Sequence, residues 1–254
     1  MDFNINPWCI AGAPVAAWAR QVYPGVDDEI AVYRLWCAIL SVARADGEDP
    51  ESAWELHNAT FEKNLRFLND RHFDRLHYTS SNGTDLWVGL TDKHVWEGGS
   101  SETPDGHVFF PNIPTEEVFT SPHCERVDGV VHSALPLVRH GNKIDRFWLR
   151  FEGGSVVDFD AEVGRDTLAS ILDTDEGARR LGEVALISKN TPCLLYTSVC
   201  SSSSQGKLSQ AGASCMDVPT MRNFMLVTSG AIRLKSAQSA WAPNTFRAKW
   251  GTPS

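Results

Sequence analysis

The sequence of 254 residues lacks three features that would point to a membrane, a nucleic acid or a disulfide framework. It has no run of about twenty apolar residues, so it offers no transmembrane helix, and no basic and apolar leader opens it, so we expect no signal peptide. Acidic residues outnumber basic ones by 32 to 23, which argues against binding to a phosphate backbone. The six cysteines are scattered without a CxxC pair, and we interpret them as reduced, mostly buried thiols of a cytoplasmic protein.

Histidine and glutamate are both absent from residues 193–254. This segment carries six basic residues and one acidic residue, a net charge of +5, whereas the residues before it carry −14. Its serine-rich beginning shows no sustained apolar period, which predicts an irregular or disordered chain. We therefore treat residues 193–254 as a tail distinct from the rest.

The first 75 residues have the apolar spacing of helices. Apolar side chains recur at helical intervals in three stretches, and the tryptophans among them are predicted to lie in the core. Asp49 and Pro50 form a typical N-cap and first residue for the third stretch.

From Leu76 to Ala161 the apolar period changes to two, as in DLWVGL (85–90) and DRFWLRFE (145–152). Gly141-Asn142 and Gly153-Gly154 are typical of hairpin turns, so we predict an antiparallel sheet or partial barrel.

A helix is predicted to return at Asp166, with a second short helical turn over 173–182, before the buried strand EVALI (183–187). The predicted fold class is thus α+β, with a helical region followed by an antiparallel β region and an irregular tail.

Three glutamates lie at the edges of predicted elements rather than in charged runs. Glu116 and Glu117 follow Pro114 in an irregular loop, and Glu183 lies where a helix gives way to a strand. Carboxylates from separate parts of a chain can hold divalent cations. They are also common on solvated surfaces, so spacing alone leaves both interpretations open.

Longer stretches around these glutamates resemble a known family. NIPTEEVFTSPHCERVDGVV (112–131) and ILDTDEGARRLGEVAL (171–186) are similar to the two strongest signatures of the thermophilic-type metallo-aminopeptidases, the aminopeptidase S and aminopeptidase T family. Supporting similarities lie at 6–24, 76–90 and 109–112.

The resemblance implies a cytoplasmic, homodimeric exopeptidase that removes N-terminal residues from peptides. It implies two divalent metal ions per site, zinc, cobalt or similar. It assigns Glu117 as one metal ligand, Glu183 as another that bridges the ions, and Glu116 as the candidate general base. Which of the two adjacent glutamates is the ligand stays open. The resemblance implies no partner of the nucleic-acid or membrane type.

The resemblance covers the chain from Asn6 to Pro192. It implies that residues 1–75 are the C-terminal part of an N-terminal α/β domain and that 76–192 are a portion of the catalytic domain. The family's remaining ligands, a glutamate, two histidines and an aspartate, lie downstream of LGEVAL in segments that have no counterpart here. CLLYTS (193–198) is the translation expected from a sequencing adaptor. We therefore interpret the tail as aberrant and the chain as incomplete at both ends, and we expect little turnover from it.

Two other functions are compatible with parts of this pattern. A non-catalytic binding or regulatory derivative would explain why the histidine ligands are missing. A glycosidase needs two carboxyls roughly 5–9 Å apart, which Glu117 and Glu183 could supply, although the family resemblance argues against it.

Overall fold

The computed structural model describes residues 5–139 and 141–187, together with the backbone of 232–234. Three helices come first, α1 (Ala16–Val22), α2 (Asp28–Val42) and α3 (Pro50–Arg71), and α4 (Arg165–Leu172) follows the main strands. The helical beginning predicted from the apolar spacing is thus confirmed. Within the described residues, no helix combines the length and the hydropathy that a membrane span requires.

Aspartate caps define where the two long helices begin. The Asp27 carboxylate accepts the N–H of Glu29 at 3.0 Å at the start of α2, and the Asp49 carboxylate accepts the N–H of Ser52 at 3.1 Å at the start of α3. Pro50 occupies the first turn, where its missing N–H leaves no hydrogen bond unmade. The predicted Asp49–Pro50 start is confirmed.

The prediction that the tryptophans of this region are core residues is wrong for two of them. Trp18 is 40% exposed and Trp36 is 42% exposed. Helices α1 and α2 pack on each other through a small cluster built on Ala19, Ala31 and Leu35. Close approach through such small side chains leaves the larger ones at the periphery.

The described part of the chain contains fourteen strands, of which β1 precedes α1 and the others follow α3. Two long ones dominate, and several others are only two residues long. In chain order they are β1 (Ile10–Ala11), β2 (Arg75–Thr79), β3 (Asp85–Leu90), β4 (Glu97–Gly98), β5 (Ser101–Glu102), β6 (Val108–Phe109), β7 (Asn112–Ile113), β8 (Glu117–Thr120), β9 (Pro122–His132), β10 (Leu137–Arg139), β11 (Asn142–Glu152), β12 (Ser155–Val163), β13 (Leu181–Ile187) and β14 (Ile232–Leu234).

The strands form two principal sheets. The larger has the order β10-β11-β9-β3-β2, with β12 also paired to β11, and its pairings are antiparallel as predicted. The smaller has the order β14-β13-β8-β4. Small two-stranded sheets are formed by β5 with β6 and, in parallel, by β1 with β7. The mixed helix-and-sheet fold class is thereby confirmed.

A tight hairpin joins β11 to β12 at the predicted Gly153-Gly154. Both glycines have left-handed backbone angles, φ 53° and φ 79°, as a two-residue turn of this kind requires. A Cβ at Gly154 would lie 2.0 Å from the carbonyl oxygen of Cys124, so glycine is also needed there for space.

Residues 173–180 form turns, so the predicted second helical segment over 173–182 is wrong. The Asp175 carboxylate accepts the N–H of Gly177 at 2.8 Å, a local bond that competes with helix formation. Strand β13 then starts at Leu181, two residues earlier than predicted, because Leu181 is buried and paired with β14.

The main core lies among the two sheets, α3 and α4. It unites buried residues of both sheets with Phe61 and Leu68 of α3 and with Leu168 and Leu172 of α4. In the tail, the backbone of 232–234 forms β14. The predicted irregularity of the rest of 193–254 lies outside the described residues.

Candidate functional site

Glu117 and Glu183 lie on neighbouring strands of the smaller sheet. Strand β8 pairs antiparallel with β13, with Glu117 opposite Ile187 and Thr120 opposite Val184. Directly opposed residues project to the same face, and alternate residues share a face. Glu117 and Glu183 therefore project from one face of the sheet.

This face is the less buried one. Its residues between the two glutamates are Phe119 and Ala185, which are paired with each other. The opposite face belongs to the core, and its members are at most 4% exposed: Val118, Thr120, Val184 and Leu186. On the glutamate face, both carboxylate residues are partly buried, and the Oε1 atom of Glu183 is out of contact with solvent.

The two glutamates are separated along the strands. Glu183 lies four residues from Ile187, the partner of Glu117, which corresponds to about 13 Å along the strand direction. Because oxygen-to-metal contacts are about 2 Å long, one ion could contact both carboxylates only if both side chains reached toward each other along the face.

A third carboxylate on this face was missed by sequence reasoning. Glu97 of β4 is paired with Phe119 and so shares the face of Glu117. Burial of part of its side chain raises the pKa of the Glu97 carboxyl, although the residue stays accessible to solvent. No local pattern marks Glu97, since β4 is only two residues long.

Glu116 lies in the irregular chain just before β8 and is directed toward the helices. Its Oε1 accepts a hydrogen bond from Nη1 of Arg44 at 2.5 Å, and the two side chains are only 12% and 20% exposed. The adjacent Thr115 accepts a hydrogen bond through its carbonyl oxygen from Nε2 of His57 at 2.8 Å. Burial holds the pKa of His57 below its ordinary value, despite the nearby Glu116 carboxylate.

Arg44 and His57 are thus functional candidates that the sequence analysis did not find. Each is distant in sequence from the loop that it contacts, by 72 and 58 residues respectively. No local motif marks such a pairing, which exists only because Arg44, just after α2, and His57 of α3 reach the chain before β8.

The described residues supply an incomplete set of metal donors. Among them, no three His, Cys, Asp or Glu side chains converge closely enough to hold an ion. Carboxylate oxygens suit divalent cations chemically, so Glu117 and Glu183 fit as part of a donor set that needs further members.

The cysteines give no support for a thiol site. The interpretation of them as mostly buried is wrong for Cys9, Cys37 and Cys124, which are exposed free thiols. Cys124 lies on β9 beside the Gly153-Gly154 turn, where its carbonyl oxygen is packed while its side chain is exposed.

Comparison with known proteins gives a consistent result. The sequence profile of the thermophilic metalloprotease (M29) family matches residues 1–199. Aminopeptidase T of Thermus aquaticus is 48% identical over 188 residues, which cover 74% of this chain and 46% of the relative. Aminopeptidase 2 of Geobacillus stearothermophilus is 46% identical over 190 residues, covering 75% of this chain and 46% of the relative.

A solved structure agrees with the sequence relatives. Wild-type AmpT from Thermus thermophilus superposes with a TM-score of 0.69 at 42% identity, covering 81% of this chain and 51% of that one. The chain spans about half the length of the curated relatives that it matches. The resemblance inferred from the two signature stretches is confirmed, and the chain belongs to the thermophilic metalloprotease (M29) family.

Proposed function

We propose that the protein is a metal-dependent aminopeptidase that hydrolyses N-terminal residues from peptides. The observation that carries the proposal is the placement of Glu117 and Glu183 on one face of adjacent strands, within the part of the chain that matches named aminopeptidases. Because the chain spans about half of those relatives, the activity is proposed for the whole protein.

We assign Glu117 and Glu183 as residues that would hold two divalent ions. When bound, such ions lower the pKa of a water molecule and polarise the scissile carbonyl. The resemblance assigns to Glu116 the role of taking the proton of the water and passing it to the leaving amine. The Arg44 guanidinium holds this carboxylate on the helical side, so for that role it would have to turn toward the face of Glu117 and Glu183.

Zinc or cobalt is the proposed metal, and a cytoplasmic homodimer is the proposed working form. The metalloprotease classification of the family supports the use of a divalent metal. Two carboxylates cannot close a site that needs several donors, so the chain of 254 residues is expected to bind metal weakly and to turn over slowly.

The test is hydrolysis of an aminoacyl-anilide before and after chelation. We expect activity of the product of the complete gene to disappear with chelator and to return on addition of Zn²⁺ or Co²⁺. The same assay on Glu117→Gln should stay at background under both conditions. Hydrolysis that is unchanged after chelation would refute a metal-dependent mechanism.

Residues 193–254 need a separate test. They stand where the family resemblance places the further metal ligands, downstream of LGEVAL. In genomic DNA sequenced across the codon of Pro192, we expect that the codons that follow do not encode CLLYTS. An uninterrupted CLLYTS in native DNA would make residues 193–254 part of the natural protein.

A non-catalytic binding derivative is the second candidate. It is favoured by one observation, that the described residues contain no cluster of three metal donors. It predicts a cooperatively folded chain of 254 residues that takes up no Co²⁺ at millimolar concentration. Calorimetric uptake of Co²⁺ that depends on Glu117 and Glu183 would exclude it.

A further inference from the structure

We propose that Arg44 and His57 are positioning residues that hold the carboxylate segment, residues 115–117, from the helical side and so aim Glu117 along its sheet face. The proposal rests on the proposed function, because it takes Glu117 as a metal ligand. It adds two residues that lie outside the signature stretches in the sequence and contact Glu116 and Thr115.

The first contact is a largely buried ion pair. Arg44 follows α2 with a left-handed backbone, φ 56°, which turns the chain out of the helix. The indole Nε1 of Trp54 donates to the carbonyl oxygen of Ala43 at 2.8 Å and fixes the residue before this turn. This turn places the Arg44 guanidinium beside the Glu116 carboxylate. Because the pair is largely buried, water and salt screen its electrostatic attraction far less than that of a surface pair.

The second contact holds the backbone itself. A carbonyl oxygen can only accept, so the 2.8 Å contact means that Nε2 of His57 carries the hydrogen and donates to Thr115. Trp54, His57 and Phe61 follow one another at intervals of three and four residues, so they share a face of α3. Edge contacts of the His57 ring with Trp54 and Phe61, at 5.5 Å and 4.9 Å between ring centroids, fix its orientation.

These contacts affect the direction of the Glu117 side chain, because neighbouring side chains in an extended chain point to opposite sides. Holding Glu116 toward the helices therefore sends Glu117 the other way, onto the face that it shares with Glu183. Thr115 and Glu116 themselves lie outside any strand. The pairings of β8 with β13 and β4 hold the chain from Glu117 onward, whereas Arg44 and His57 hold the residues before it.

The chain contains a matched control for the ion pair. Arg20 and Asp28 also form a 2.5 Å pair within the helical region, but their side chains are 56% and 49% exposed. Exposed pairs of this kind contribute little. Arg20→Met therefore removes an equivalent contact without touching the carboxylate segment.

The first experiment is amide hydrogen exchange on the intact chain, because it does not depend on metal. In Arg44→Met and His57→Phe, we expect exchange of the peptide containing Glu116, Glu117 and Val118 to be about tenfold faster than in the wild type. Exchange in β3 should not change in any variant, and Arg20→Met should match the wild type throughout. Wild-type protection of the segment in both Arg44→Met and His57→Phe would overturn the proposal.

The second experiment tests whether Arg44 and His57 affect metal binding by Glu117. Calorimetric titration of the product of the complete gene with Co²⁺ should show affinity reduced about tenfold in Arg44→Met, at the lower end of what loss of an outer-shell partner costs a metal site. Arg44→Lys should restore most of it, since one nitrogen makes the contact with Glu116. His57→Gln, which keeps a side-chain donor, should likewise bind better than His57→Phe. Equal affinities in Arg44→Met and Arg20→Met would contradict a positioning role.

The two proposals fail in different ways. Unchanged Co²⁺ affinity in Glu117→Gln would refute the proposed ligand and hence the proposed function, while hydrogen exchange would still decide whether the segment is held. A strong loss in Glu117→Gln with no effect of Arg44→Met or His57→Phe on either readout would refute the positioning alone. Circular dichroism of each variant excludes global unfolding as the cause.

Discussion

Glu117 and Glu183 stand on adjacent antiparallel strands and project from the same face, with one opposed pair, Phe119 and Ala185, between them. Neither strand alone could make this arrangement. The register of β8 against β13 brings together two glutamates that are 66 positions apart in the chain.

Replacing Glu117 or Glu183 by glutamine should weaken metal affinity by at least about 100-fold. Loss of an outer-shell partner already reduces the affinity by about 10–100-fold, and a direct ligand should matter at least as much. Glutamine keeps the size of the side chain and removes its charge. The measurement is a Co²⁺ titration followed by calorimetry, with Glu125→Gln on the exposed part of β9 as the control. Similar affinity for Glu117→Gln and Glu125→Gln would remove Glu117 from the proposed site.

Stability should fall in acid because His57 is buried. Burial holds its pKa below the ordinary value of about 6.5. The unfolded chain then binds a proton more readily than the folded one, so the stabilisation is complete above about pH 6.5 and is lost as the pH falls toward the folded pKa. The groups facing the ring are the Glu116 carboxylate, which opposes the shift, and the Arg44 guanidinium, which adds to it.

Urea denaturation from pH 8 to pH 5 tests this titration. The free energy of unfolding of the wild type should decrease over that range by more than that of His57→Gln, whose amide does not titrate. Parallel pH curves for the two proteins would show that His57 makes no such contribution.

Gly154→Ala should destabilise the fold by about 2 kcal/mol or more, since it combines a left-handed backbone with a clash. The new Cβ would lie 2.0 Å from the carbonyl oxygen of Cys124. Gly153→Ala is the matched control, because its φ is also positive but no atom lies within 4 Å of its Cβ position. It should cost only about 1 kcal/mol from the backbone conformation. Equal losses in urea denaturation would show that the clash is relieved.

Asn69→Leu should cost about 1–3 kcal/mol by leaving buried backbone groups without partners. The Asn69 side chain accepts from the N–H of Trp96 at 2.8 Å and donates to its carbonyl oxygen at 3.1 Å, and Trp96 is 1% exposed. Asn58→Leu on the same helix loses only an exposed bond to Glu62 and should stay within about 0.5 kcal/mol of the wild type. Thermal unfolding of both variants measures the difference. A small effect of Asn69→Leu would mean that water replaces the side chain.

Elements with local signals were predictable from the sequence. Asp49 and Pro50 start α3 because capping and a fixed φ act over a single turn. Gly153 and Gly154 form the hairpin because only glycine reaches both backbone angles easily. The apolar alternation of 85–90 gave β3 because burial of one sheet face requires a period of two.

Elements decided by competition between local and distant contacts were not predictable. The turn at 173–180 has a helix-like pattern, but the Asp175 side chain bonds locally and Leu181 joins a strand. Trp18 and Trp36 have core-like spacing, but the helices that carry them meet through alanines instead. Which face of a helix is covered depends on the elements packed against it, and the apolar spacing in the sequence does not show which elements these are.

The sequence by itself determined the family, through two long signature stretches, and it identified Glu116, Glu117 and Glu183 as candidates for the site. Only the tertiary structure decided that Glu117 and Glu183 share a sheet face while Glu116 turns toward Arg44. The physical reason is that side-chain direction follows from strand register and from packing of α2 and α3 against the loop. Those are contacts between residues far apart in the chain, and no spacing along the sequence encodes them.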